Sequence, residues 1–296
     1  MPPPYIPWSF AAIDPQETSL ENCRVVVVPV PYDSTTSYKA GAREGPRAII
    51  EASRYLEDYD IELEREIYRV GIHTLPEIEP HVGSPYAMVE RVRDIVWPFA
   101  RDGKLLAILG GEHSISVGVV QGLRNVYSDL SVLYLDAHGD LRYEYMGSEY
   151  SHACTARRIW EICPLVEVGI RSISQEEMQF VRSEGINMHF CGEGESIASW
   201  NIEEILRRLS DHVYVSIDLD VFDPSLMPAV GTPEPGGLDW ETALRLLKAV
   251  SRDRSIVGFD VTELCPGAGP PSCAFTAAKL AYKIIGYATE KDFIDK

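Results

Sequence analysis

The sequence predicts an α/β protein built on a largely parallel sheet with helices on both faces. Three observations carry this. Seven short strand-like runs recur along the 296 residues, most of them continuously apolar rather than alternating, and segments of helical period lie between them. A strand covered on both faces reads as an unbroken apolar run because neither face meets water. An amphipathic helix between two such strands is the crossover that parallel pairing requires.

Taken in order, strands are predicted at 24–30, 104–109, 131–135, 165–170, 187–190, 213–217 and 255–259, most of them dominated by Val, Ile, Leu and aromatic residues. Those side chains pack well on a pleated surface. Helices are predicted at 46–55, 86–101, 114–126, 152–162, 175–183, 202–209, 240–251 and 275–287. In the second of these, Met88, Val92, Val96 and Phe99 recur at three- and four-residue steps, which lines one helical face. No linker, internal repeat or low-complexity block interrupts the alternation, so a single domain over 1–296 is expected.

Composition narrows the function. The chain carries 45 acidic against 27 basic residues, a formal net charge of -18, without a basic run. This argues against nucleic acid and against anionic membrane surfaces, which are recognised through Lys and Arg patches. An acidic surface suits a cationic small molecule and also serves solubility. The six cysteines are scattered with no C-x-x-C pair, so reduced thiols are expected. The N-terminus, Met-Pro-Pro-Pro-Tyr-Ile-Pro-Trp, lacks the basic start and apolar centre of a secretory signal. No apolar run approaches the roughly 18 residues of a membrane span. A cytoplasmic protein is the expectation.

The chemistry gathers where predicted strands end. Asp136-Ala-His-Gly-Asp140 follows one run, and Asp218-Leu-Asp220 follows another. Gly110-Gly-Glu-His-Ser114 and Asp260-Val-Thr-Glu263 follow two more. In open parallel sheets ligands bind beyond the carboxyl ends of the strands, so these distant segments should meet along one edge. If the backbone stays extended past each run, Asp136, His138 and Asp140 share one side, as do Asp218 and Asp220. Four carboxylates brought together repel one another unless cations neutralise them. Two divalent ions match that charge. One imidazole per ion, from His113 and His138, leaves oxygen-dominated sites that favour manganese or another hard ion over zinc. Two such ions make water nucleophilic at neutral pH, which points to metal-assisted hydrolysis. His152, just past the first cluster, is suited to relay a proton, and Glu263 to pair with a planar cation.

Together these motifs resemble the ureohydrolases, the arginase and agmatinase family. The match extends to Pro31-Tyr-Asp-Ser-Thr-Thr-Ser-Tyr38, Gly41-Ala-Arg-Glu-Gly-Pro46, Ser216-Ile-Asp-Leu-Asp-Val-Phe-Asp-Pro224 and Gly231-Thr-Pro-Glu-Pro-Gly-Gly237, and spans roughly 23–288. The resemblance implies a three-layer α/β/α fold around an eight-stranded, mostly parallel sheet. It also implies two manganese ions per subunit and assembly into trimers or hexamers. By the same resemblance, His113 and Asp140 bind the first ion, His138 and Asp220 the second, and Asp136 and Asp218 bridge them. Asp140 also orients the attacking water, His152 relays protons, Glu263 holds the substrate guanidinium, and Thr232 lies in the pocket beside it.

The substrate implied is a guanidino compound, with agmatine preferred and putrescine and urea as products. That preference rests on the loop between Asp140 and His152, which has no Asn to receive an α-carboxylate and carries Glu144 and Glu149. Arginase, guanidinobutyrase or guanidinopropionase, and formimidoylglutamase are the competing activities. The competing non-enzymatic role is an inactive metal-binding regulatory subunit.

Overall fold

The computed structural model describes residues 5–14, 18–192 and 200–294. Its centre is an eight-stranded sheet formed by β1 (Val25–Val30), β4 (Ile72–Thr74), β5 (Leu105–Gly110), β6 (Ser131–Leu135), β7 (Leu165–Ile170), β8 (Asn187–Phe190), β9 (His212–Asp218) and β10 (Ser255–Thr262). The strand order is β4-β1-β5-β10-β9-β6-β7-β8, and every pairing in it is parallel. A two-stranded hairpin, β2 (Tyr59–Asp60) and β3 (Arg65–Glu66), stands apart.

Period-two alternation sorts the strand side chains into two cores. Val25, Val27, Leu105, Ala107 and Leu109 face one core, while Val26, Val28, Val30, Leu106 and Ile108 face the other. The first core is closed by α1 (Gly45–Ser53), α6 (Ile202–Arg208), α7 (Trp240–Asp253) and α8 (Ser272–Ala288). The second is closed by α2 (Pro85–Arg101), α3 (Ser116–Arg124), α4 (Thr155–Trp160) and α5 (Gln175–Glu184). The protein is thus a three-layer α/β/α sandwich.

The seven expected strands form, and β4 is the eighth. It is an edge strand of three residues paired only to β1, too short to show a pattern in the sequence. Strands run on past their expected ends: β5 to Gly110, β9 to Asp218, and β10 through Asp260 to Thr262. The segment expected to be helical from His152 begins as a 3-10 turn, His152–Cys154, before α4. All six cysteines are buried and free. Among the described residues no helix is long and apolar enough to cross a membrane.

The hairpin is tied to α8 by charge. Lys283 Nζ sits 2.9 Å from Asp60 Oδ1, and Glu62 receives Lys283, Lys248 and the Tyr287 hydroxyl. Burial works against the Glu62 carboxylate, but its bonds to Lys248 and Lys283 bring its pKa down to about 2. A depressed carboxylate pKa stabilises the fold above the unfolded value, and that share is lost as pH falls through the folded one. Glu62→Gln is therefore expected to cost about 1 kcal/mol near pH 7, a figure already discounted for solvent screening of a partly exposed group. The difference from wild type should shrink between the ordinary Glu pKa of about 4.3 and pH 2. Urea melts at pH 7 and pH 3 check this, and an undiminished gap at pH 3 would count against it.

Candidate metal centre and active site

Four parallel strands deliver the site. His113 follows β5 in a tight turn, where a Cβ at Gly111 would lie 2.0 Å from the Tyr32 carbonyl oxygen, so only glycine permits the approach. Asp136, His138 and Asp140 follow β6, Asp218 ends β9, and Glu263 follows β10.

The expected continuation of extended backbone does not occur. Asp140 has a left-handed φ of 47°, and Asp220 lies in the 3-10 turn Leu219–Val221, where its amide donates to Asp218 Oδ1 at 2.8 Å. Turns, not strand alternation, bring the carboxylates together. Among the described residues two groups have ligand atoms within 4.8 Å of one another, namely His113, Asp136 and Asp140, and Asp136, His138 and Asp220. Asp136 belongs to both. Asp218 stands beside the first group, with Oδ2 3.5 Å from His113 Nδ1.

Both imidazoles turn Nδ1 inward. His113 Nδ1 is 3.0 Å from Asp136 Oδ2, and His138 Nδ1 is 2.8 Å from Asp220 Oδ2. The outer nitrogen of His113 is held by Ser216 Oγ at 2.8 Å, and Ser216 in turn donates to Asp260 Oδ2 at 2.9 Å. A partner of this kind is what orients an imidazole able to bind a metal. Tyr134 stacks on the His113 ring and donates to Asp140 Oδ2 at 2.9 Å. The sequence assigns no role to Ser216, Asp260 or Tyr134, although the segments bearing Ser216 and Asp260 are among the site motifs. The signal was present, since Tyr214, Ser216 and Asp218 share one face of a buried strand and a hydroxyl there needs a partner.

Electrostatics match a cation site. Burial, followed by the nearby Asp136 charge, pushes Asp140 well above the usual carboxylate range, and burial with Asp136 also raises Asp220. Burial and Asp220 do the same to Asp218. Asp136 is the exception. Burial opposes its charge, but hydrogen bonds from His113 and His138 hold it below the usual range. Two groups, buried except for the partly exposed His138, each pairing an imidazole with carboxylate oxygens and sharing one carboxylate, fit a pair of hard divalent cations.

One cavity of about 280 Å³ is lined by His138, Asp140, His152, Asp218, Thr232 and Glu263. His113 and Asp136 are more deeply buried, and Asp220 is reached through Thr232, whose hydroxyl donates to Asp220 Oδ2 at 3.4 Å. Glu263 has a left-handed φ of 64° and accepts the His113 amide at 2.7 Å. Burial and the neighbouring Glu112 raise its proton affinity. Glu112 itself is buried and accepts from Thr35 and Ser114. His152 lies between Thr35 and Ser37, with each hydroxyl 3.3 Å from a ring nitrogen, and burial lowers its pKa to about 4.

The glutamates expected to select the substrate do not line this cavity. Glu144 is exposed, and Glu149 pairs with Arg158 at 3.5 Å. From that loop it is Arg142 and Tyr145 that reach the cavity, together with Glu177 from α5.

The profile of the Arginase family matches residues 23–286. An N(1)-aminopropylagmatine ureohydrolase of Thermus thermophilus is 42% identical over 272 residues, covering 92% of both chains. Its counterpart in Synechocystis sp. is 40% identical, covering 91% of this chain and 90% of that protein. The crystal structure of the agmatine ureohydrolase of Thermoplasma volcanium superposes with a TM-score of 0.88 at 30% identity, covering 99% of this chain and 98% of that one. A match of this extent, over a sheet edge that gathers paired acid and imidazole groups, makes the chain a member of the arginase family and a hydrolase of C–N bonds in linear amidines.

Proposed function

We infer that the chain releases urea from a cationic guanidino amine at a site holding two manganese ions. The observation that carries this reading is that Asp136 belongs to both ligand groups while Glu263 lines the cavity they open into. His113 and Asp140 would hold the first ion, His138 and Asp220 the second, with Asp136 and Asp218 between them. When bound, the ions supply the Lewis acidity that brings water to its nucleophilic form near neutral pH.

The chain's own groups do the rest. A guanidinium carbon resists attack because three nitrogens donate into it, so its plane must be fixed first. The Glu263 carboxylate can do this through paired hydrogen bonds. Tyr134 holds Asp140 in place to orient the water. With a pKa of about 4, His152 is neutral at pH 7 and gives up any proton it receives. Ser37, which lines the cavity with its hydroxyl 3.3 Å from His152 Nε2, extends that path toward the departing amine.

Of the acids lining the cavity, Asp140 and Asp218 are assigned to the ions, Glu263 is assigned to the guanidinium, and Glu177 lies 3.9 Å from Arg142, so the lining charge does not choose between an amine tail and a carboxylate. The names of the Thermus and Synechocystis relatives support aminopropyl-extended agmatine ahead of agmatine itself. The family resemblance supports a cytoplasmic homo-oligomer, a trimer or a hexamer.

The test is urea release by manganese-loaded protein with N(1)-aminopropylagmatine, agmatine, arginine and 4-guanidinobutyrate, beside a chelated control. Chelator-sensitive turnover of both amines is expected, with the larger kcat/KM for the aminopropylated one. A preference for arginine would overturn the substrate, and no urea from any of the four would overturn the activity.

A further inference from the structure

Arg171 follows β7, and its side chain reaches no ligand atom of either group. Its guanidinium is nevertheless fully engaged, and all its partners are main-chain carbonyls. It donates to Asp220 O at 2.7 Å, Val221 O at 3.3 Å and Phe222 O at 3.3 Å, which is the turn bearing a ligand aspartate. It donates to Glu234 O at 2.7 Å and Pro235 O at 3.0 Å, on the segment that also carries Thr232. A last bond reaches Gly169 O at 3.2 Å.

The backbone of the same residue holds the other half of the site. The amides of Arg171 and Ser172 donate to Ala137 O at 2.8 and 2.9 Å, between Asp136 and His138. Ala137 in turn donates to Asp220 Oδ1 at 3.0 Å. Gly169 allows this closeness, since a Cβ there would lie 2.5 Å from Val221 Cγ2 and 2.9 Å from Asp136 O. The first ligand group is held by different means, namely Ser216 on His113, Tyr134 on Asp140 and Glu263 on the His113 amide.

We propose that the Arg171 side chain is a positioning group for the second metal position alone, its guanidinium clamping the Asp220 turn beside the Ala137 carbonyl that its own amide holds, so that Asp220 stands ready against His138 before the ion arrives. The planar fork is essential, because a lysine ammonium has three donors at one point and cannot span carbonyls on three segments. The proposal rests on the two-metal reading above.

The test titrates manganese alone into chelator-stripped full-length protein by calorimetry. Wild type should bind two equivalents. Arg171→Lys should keep one tight position and weaken the other about 10- to 100-fold, as loss of an outer-shell contact does elsewhere, and excess manganese should restore its kcat. Asp220→Ala identifies the position. With the second group disabled, adding Arg171→Lys should leave the remaining affinity unchanged.

If Arg171→Lys weakens that remaining site, or weakens neither site in the otherwise intact protein, the clamp is overturned. Fewer than two equivalents on wild type would instead overturn the two-metal reading, and the clamp with it. Should the variant not fold, hydrogen exchange on metal-free wild type decides. The Arg171 and Ser172 amides should already exchange slowly without manganese. Fast exchange that slows only on metal addition would refute a preformed clamp.

Discussion

Asp136→Ala should reduce urea release by at least about 10³-fold, roughly 4 kcal/mol of transition-state stabilisation. Asp136 is the one side chain common to both ligand groups, so its removal disables two positions where loss of Asp220 disables one. Folding should survive the change. The Asp136 charge raises the proton affinity of Asp140, Asp218 and Asp220, and its removal relieves that repulsion in metal-free protein. Melting temperature separates the two effects. A ligand at 100 times its Kd stabilises a fold by about 2.7 kcal/mol, so manganese should raise the wild-type Tm and leave that of the variant where it was. A variant that retains a manganese-dependent Tm shift, or a tenth of the wild-type rate with added metal, would remove Asp136 from the centre of the site.

Glu263→Gln should lower kcat/KM about 10²- to 10³-fold while both manganese equivalents still bind. The substitution keeps the shape, and the amide oxygen can still accept the His113 amide that Glu263 Oε1 now receives at 2.7 Å. What is lost is the charge. Removing one partner of a desolvated, hydrogen-bonded ion pair costs about 2–5 kcal/mol, much of it from leaving the other charge unpaired. Glu263 is buried and sits at a left-handed φ of 64°, a conformation retained at functional sites when the surrounding structure dictates it. Here the dictating contact is its own amide, which donates to Gly111 O at 2.8 Å. Steady-state kinetics with agmatine, paired with metal analysis, reads the outcome. An unchanged kcat/KM would sink the guanidinium role. Loss of manganese together with activity would instead make Glu263 part of the metal centre.

The layered sheet and the chemistry at its edge could be read from the chain because each strand is a local signal. Val25 to Val28 have no polar alternation, so they had to be covered on both faces. The strand-end motifs followed from the same runs. Other features had no local signal. The Ile72–Thr74 strand is three residues on an edge, and only its pairing to β1 makes it a strand. Glu144 and Glu149 looked like substrate ligands because they lie between two site residues. Whether they reach the cavity depends on Arg158 drawing Glu149 aside and on Glu144 facing solvent.

By itself the sequence determined the layers, the edge at which the site forms and eight of the side chains expected there, since hydrophobic period and strand-end position are properties of short segments, while Thr232 was expected from the family resemblance alone. Tertiary structure alone decided how those side chains meet. Asp136 is shared by two groups because the turn after Asp218 and the left-handed Asp140 bend the chain out of extended register. His113 is aimed by Ser216 and Asp260, which lie 103 and 147 residues away. The Asp220 turn is held by an arginine whose partners are carbonyl oxygens. A carbonyl is the same at every residue and leaves no trace in the order of side chains, so contacts of this kind become visible only once the chain is folded.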